Sequence, residues 1–414
     1  MSRNEEIRKG GGAALLLLIA AAALVVALLA IFTDLFEPKD PNAPPPTDIS
    51  QSDSDPIVPD GTQSPTPYVP PEDGAEGGEG EGDKSEDSDK TDTPDVVDDR
   101  PIVRPAVTQP ITTTETPYQS NGVYIVGDTG FEMYSYVESL AKRYQDIVNN
   151  VAKTLDGAAD VYAMAIPLSS GITLPDALFG DIPGSDQAKV ETDILSGMGK
   201  NVKTVPLHDA LYARRNEYIF FRTDHHWTAL GAYYAYVEFC EAKGITPHRL
   251  SDYEVSQYDG FLGSFYNDAG KPAAMESSPD VVNAFHPVSA DAHMEYGDSE
   301  NSTLTGGKVI YDESTAPASL KYGAFIMGDN PYTVIENPDI TDGSACIVVK
   351  ESFGNAFVPF LVDHYETVYV IDYRYYGGSV SALAKAKNVD DVLFVNNLSA
   401  IRGSYQMGKL AGVQ

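Results

Sequence analysis

The sequence predicts an α/β protein, with a mostly parallel sheet covered by helices on both faces and preceded by a transmembrane helix and a disordered linker. Three observations predict it. From about residue 119 onward, short apolar runs alternate with stretches of helical periodicity, the order expected of βαβ units. Near the start, one unbroken apolar run has the length of a bilayer crossing. Between the two lies an acidic, proline-rich tract that cannot bury a core.

Residues 1–12 carry Arg3, Arg8 and Lys9 and read as a short cytoplasmic tail. The apolar run 13–32 follows, and twenty helical residues at about 1.5 Å each reach about 30 Å, the hydrocarbon thickness of a membrane. Basic residues before the run, and Asp34, Glu37 and Asp40 after it, place the tail inside and everything downstream outside, at the surface of a bacterial cell membrane. A cleaved signal peptide is the rival reading. The run exceeds a usual signal core, however, and no clear small-x-small site follows it, so a signal anchor is expected.

Residues 33–118 hold 16 prolines, 21 acidic and 5 basic residues, a net charge of −16 that is about half of the chain's −33. Such a tract repels itself and stays extended, so it is expected to be a stalk; recognition of a basic partner is the alternative. The overall charge excludes a nucleic-acid partner, which needs a basic face. Residues 119–414 then form one extracytoplasmic domain near the upper limit of single-core size.

Within that domain, 122–127 reads as a strand. Residues 137–155 carry a helical apolar stripe closed by Gly157, and 161–168 is a second strand that breaks at Pro167. A helix is expected near 186–196, short strands at 202–207 and 218–221, and a helix at 227–243 ended by Gly244. Residues 245–318 look like a loop-rich insertion. Alternation resumes with strands at 323–327 and 344–349, a helix from 354, a strand at 367–371, a helix at 380–387 and a strand at 392–395. No repeat of fixed period is evident. Cys240 and Cys346 fall on a helix stripe and a core strand and are expected to be buried and free.

The densest chemistry lies in Arg222-Thr223-Asp224-His225-His226-Trp227, which holds the chain's one tryptophan. Histidine moves protons near neutral pH, and a neighbouring carboxylate fixes its tautomer. If the segment is extended, Asp224 and His226 leave one face and His225 the other, so Asp224 pairs with His226. A nucleophile would complete the set. Residues 347–357 offer Ser352 between an apolar strand and the small residues that open a helix, although serine in that place is equally a helix cap. A metal is the rival use of the cluster, but it would require His208 and His364 to converge on it.

The Asp224-x-His226-Trp227 segment, followed by Lys350-Glu351-Ser352-Phe353-Gly354-Asn355, resembles the DHHW family, itself similar to the SGNH-hydrolase-like alginate O-acetyltransferases. The resemblance spans most of residues 119–414. It implies an SGNH-hydrolase-like fold in which Asp224 orients, His226 is the base and Ser352 attacks an acyl donor. Where those relatives carry glycine two residues before the serine, this chain has Lys350, followed by Glu351, a pair expected to reshape or crowd the turn.

Candidate oxyanion donors are the amides of Ser352 and Gly354 and a side-chain amide from Asn355 or Asn330. Gly328-Asp329-Asn330-Pro331 also reads as a plain turn. Arg222 is a candidate for orienting an acyl or carboxylate group, with a surface ion pair as the alternative. Trp227 and the tyrosines at 233, 234 and 236 fit core packing, or a sugar platform if they reach the cleft. The resulting expectation is an O-acetyl transferase or esterase acting without a cofactor on an envelope polysaccharide or wall polymer. For a transferase, the resemblance further implies a polytopic acyl-exporting membrane partner. An inactive binding or assembly factor of the same fold is the alternative.

Overall fold

A computed structural model of the chain describes residues 109–414 except residue 182. The apolar run 13–32 and most of the acidic tract therefore lie outside the described residues. Within them, no helix is long and apolar enough to cross a membrane. Contacts to the domain begin ahead of residue 119, since the Ile111 carbonyl accepts the Asp176 amide at 2.9 Å.

The centre is an eight-stranded mixed sheet. Strands β1 (Tyr118–Ser120), β2 (Val123–Val126) and β3 (Thr129–Glu132) form a separate antiparallel meander, so the run at 122–127 is a strand but does not enter the main sheet. Helix α1 (Glu138–Thr154) leads to β4 (Asp160–Ile166), and α2 (Gln187–Ser196) to β5 (Val202–Thr204). Helix α3 (Ala229–Lys243) precedes the hairpin of β6 (Val255–Phe261) and β7 (Asp280–Phe285). The chain continues through β8 (His293–Gly297), β9 (Thr305–Gly307), β10 (Tyr332–Glu336) and β11 (Ala345–Lys350). Helix α4 (Gly354–Leu361), β12 (Thr367–Asp372), α5 (Val380–Lys387), β13 (Asp391–Asn397) and α6 (Ser404–Gly412) complete it.

The order across the main sheet is β5-β4-β13-β11-β12-β10-β8-β9, parallel through the first five and antiparallel for the rest. Strand β11 reads Ala-Cys-Ile-Val-Val-Lys, every residue buried, as befits an interior parallel strand covered on both sides. Helices α1, α5 and α6 pack together, and α3 packs on α4. Cys240 and Cys346 are buried and free, and Tyr233, Tyr234 and Tyr236 belong to the core.

Four expectations are corrected. Residues 218–221 are not a strand, because only Phe220 bridges Trp227 across a tight loop. Residues 323–327 are not one either: a 3-10 turn covers Ala318–Ala324, and Ile326 and Met327 take positive φ (46° and 55°), which breaks extended backbone. Strand β10 went unseen, since Tyr332–Glu336 is short and follows a turn sequence. The segment 245–318 is less an insertion than a support, since β8 and β9 extend the main sheet and β6 and β7 brace the loop described next.

Candidate active site

Ser352 sits just beyond the carboxyl end of β11, where parallel sheets present ligands. Its turn is shaped by Glu351, whose buried carboxylate accepts the amides of Phe353 (3.0 Å) and Asn397 (2.9 Å) and whose carbonyl accepts the Gly354 amide (2.9 Å). Burial raises the Glu351 pKa, against the two amide bonds that favour its ionised form. Lys350 is fully buried and register-paired with Asp372, to which its ammonium bonds at 2.9 Å. Arg374 and Asp329 close this group, with Arg374 2.6 Å from Asp372 and 2.8 Å from Asp329. Neither Lys350 nor Glu351 therefore crowds Ser352, contrary to expectation: one side chain runs to the neighbouring strand and the other turns back on backbone amides. Gly354 is required here, because a Cβ at that position would lie 2.4 Å from the Lys350 Cβ.

His226 reaches this turn from a loop, not from a strand end. Residues 222–226 bend, and His225 lies against His226 with ring centroids 3.8 Å apart, so the extended-chain argument that sent them to opposite faces fails. The pairing of Asp224 with His226 nonetheless forms. Asp224 Oδ1 accepts the His226 amide at 2.9 Å and faces Nδ1 at 2.6 Å, while Oδ2 accepts the Ser264 amide at 2.8 Å. Burial alone would raise the Asp224 pKa, but His226, His225 and these bonds hold it well below the usual carboxylate range. Gly263 permits the close approach, since a Cβ there would meet Asp224 Oδ2 at 2.2 Å.

An ionised carboxylate only accepts, so the Nδ1 proton points to Asp224 and the Nε2 lone pair points outward. Nε2 lies 2.7 Å from Ser352 Oγ. Tyr322 stacks on the other face of the imidazole (centroids 4.0 Å apart, planes 10° apart), and its hydroxyl donates to the Ser352 carbonyl at 3.0 Å. Ser352 itself is half-buried, open to a reactant.

The remaining candidates fare differently. Arg222 is spent on structure: its guanidinium bonds Asp280 (3.2 Å), Asp128 (3.0 Å), Ser278 (3.0 Å) and the Pro279 carbonyl (3.1 Å). Trp227 is fully buried and cannot touch substrate, but its indole N–H donates to the Phe353 carbonyl at 2.9 Å. The Gly354 amide is taken by Glu351. Asn355 is 1% exposed and donates to Asp329 at 2.9 Å, and Asn330 folds back on the carbonyls of Ile326 and Met327 as a turn residue does. None of these three is directed at an oxyanion.

For a metal, Asp224, His225 and His226 do offer ligand atoms within 4.8 Å of one another, but both His226 nitrogens already face Asp224 and Ser352. His208 stacks on Tyr212 and His364 bonds Tyr236, so neither joins the cluster.

Sequence reasoning missed Asp280. Fully buried, it accepts the Thr223 amide (2.7 Å), the Thr223 hydroxyl (2.6 Å) and the Tyr218 hydroxyl (2.5 Å), and so fastens the loop ahead of Asp224. Its only sequence signal was a carboxylate leading an apolar run, Asp280-Val281-Val282. Tyr322, Gly263 and Ser264 were missed as well.

Fold and site together define an α/β protein in which an Asp-His pair on a braced loop meets a serine at the carboxyl edge of a mixed sheet. A family model described as DHHW protein matches residues 81–371, and the chain belongs to the DHHW family. A solved DHHW family protein from Eubacterium siraeum is 28% identical, with a TM-score of 0.64 over 73% of this chain and 99% of that one. PatB1 of Bacillus cereus, solved with a sulfonyl adduct, shares the fold at 17% identity, with a TM-score of 0.55 over 73% and 99% of the two chains. No curated protein matches.

Proposed function

We propose that the protein is an SGNH-hydrolase-like O-acyl transferase or esterase, most simply for acetyl groups, acting on an envelope polysaccharide or wall polymer. The observation that carries this reading is the continuous line from Asp224 through His226 to Ser352, with contacts of 2.6 and 2.7 Å. His226 Nε2 takes the Ser352 proton as Oγ attacks the acyl carbonyl. The tetrahedral adduct collapses when the imidazolium returns that proton to the leaving group, leaving an ester on Ser352. A sugar hydroxyl, or water, then attacks this ester while His226 accepts its proton, and the second adduct collapses as the imidazolium returns that proton to the departing Ser352 Oγ, releasing the acylated sugar or the free acid. Asp224 stabilises the imidazolium in both steps, and the Ser352 amide is the candidate left to donate to the oxyanion.

In this reading residues 13–32 anchor the chain and the acidic tract up to about residue 108 holds the domain away from a bacterial cell membrane. A transferase would draw on a polytopic membrane protein that exports acyl groups. The placement of Lys350 and Glu351 away from Ser352 favours an active site over an inactive binding factor.

The test is intact mass after exposure to an activated acetyl ester, and separately to a sulfonyl fluoride. One adduct per chain, absent in Ser352→Ala and slowed in His226→Ala, is expected. Equal labelling of wild type and Ser352→Ala sinks the reading. Added oligosaccharide then separates transfer from hydrolysis.

A further inference from the structure

Two strands away from Ser352, on the same edge of the sheet, lies a cavity of about 590 Å³. Its walls follow the carboxyl ends of β4 and β5: Ser170 from the turn after β4, Phe179 and Ser185 from the loop beyond it, Gln187 at the start of α2, and His208 and Tyr212 after β5. Adjacent strands are about 4.8 Å apart, so β4 stands about 10 Å from β11 along the sheet. The volume is in the range of small-ligand sites.

Its chemistry is aromatic and hydroxylic, and its one carboxylate is engaged in capping a helix. Phe179 is 44% exposed, a large ring held out over the cavity. Tyr212 lies between Arg215, whose guanidinium lies 4.4 Å from the ring centroid and bonds the Tyr212 hydroxyl at 2.6 Å, and His208, which stacks on the ring with centroids 5.8 Å apart, so the open aromatic face on the cavity is that of Phe179. The Arg215 charge is met by Asp176 at 2.6 Å. Asp186, also on the wall, caps α2 by accepting the amides of Ala188 (3.1 Å) and Lys189 (3.2 Å). Two serine hydroxyls remain, each already accepting one bond: Ser170 from Gln187 at 2.9 Å and Ser185 from the Tyr136 amide at 2.9 Å. A hydroxyl keeps a donor and a further lone pair besides.

The open face of Phe179, whose ring lies 5.7 Å from the Arg215 guanidinium, suits the apolar face of a pyranose, and uncharged hydroxyls suit its polar edge. A chain of net charge −33 would repel an anionic polymer. We infer that this cavity is a subsite for a neutral sugar unit of the acceptor polymer, holding it so that a nearby hydroxyl of the same chain reaches Ser352. The inference rests on the acyl-transfer reading for its purpose and on the cavity for its chemistry.

The test is calorimetric titration of the full chain with cellotetraose and with chitotetraose. Binding of at least one, weakened tenfold or more in Phe179→Ala and unchanged in Ser352→Ala, is expected. Binding of neither, or binding indifferent to Phe179→Ala, overturns the subsite. Acylation of Ser352 by a small ester needs no sugar. Intact acylation without sugar binding therefore removes the subsite alone, and sugar binding without acylation removes the acyl-transfer reading alone.

Discussion

The indole N–H of Trp227 donates to the carbonyl of Phe353 at 2.9 Å, tying the segment that carries His226 to the turn that carries Ser352. The two residues stand 126 apart in sequence, the same separation as His226 and Ser352. One bond thus sets the spacing of the pair beside it. The tryptophan is a strut, and its burial explains why it stands next to the histidine without touching substrate.

Trp227→Phe keeps an aromatic side chain but removes the donor and shrinks the fully buried ring, stranding a buried carbonyl beside a small cavity. A loss of about 1–3 kcal/mol is expected in urea unfolding. Acylation of Ser352 should slow by more than the stability loss accounts for, which single-turnover mass measurements on the folded variant would show.

Asp224→Asn should leave the fold in place and lower acylation by on the order of 10⁴-fold, because an amide in that position no longer favours the Nδ1–H tautomer. Far-ultraviolet circular dichroism checks the first half and acyl release the second. A rate within a few-fold of wild type would remove Asp224 from the mechanism.

Asp372→Asn leaves the fully buried Lys350 ammonium with Asp329 at 3.4 Å as its remaining carboxylate. Breaking a buried pair from one side costs about 3–5 kcal/mol. The urea midpoint should fall accordingly, whereas an exposed pair such as Lys142 with Asp146 should yield under about 1 kcal/mol.

Burial lifts the Glu191 pKa to about 7, against amide bonds from Leu207 and His208 that favour the ionised form. A carboxyl whose folded pKa is raised stabilises the fold below its ordinary pKa near 4.5, and that contribution is lost as pH rises through 7. Glu191→Gln should therefore gain about 3 kcal/mol on wild type between pH 4 and pH 8. Parallel unfolding curves at the two pH values check it, and a constant difference counts against the shift.

Much of this was legible in the sequence because it was local. The α1 stripe, the buried run of β11 and the Gly244 stop of α3 each depend on neighbours within a few residues. The Asp224–His226 contact is also local, and it forms although the backbone bends where an extended segment was expected. What stayed hidden was partnership at a distance. Nothing near Arg222 in sequence announces Asp280, which is 58 residues away and absorbs the guanidinium that looked available for substrate. Lys350 and Glu351 looked disruptive for the same reason, because their partners Asp372 and Asn397 lie on other strands. Among the oxyanion candidates Gly354 is taken by backbone accounting, since a turn this tight uses its amide to make itself, and the amides of Asn355 and Asn330 by Asp329 and by nearby carbonyls.

Strand β13 occupies the middle of the sheet, between β4 and β11, yet it is the last strand in sequence among the described residues. A ribosome delivers the two halves of the sheet first and their keystone afterwards. Until residues 391–397 emerge, Glu351 lacks the Asn397 amide and the serine turn has no floor. A chain that stalls before β13 thus loses the centre of its fold, not an edge, and carries an unfinished nucleophile. The serine turn is finished only when β13 is.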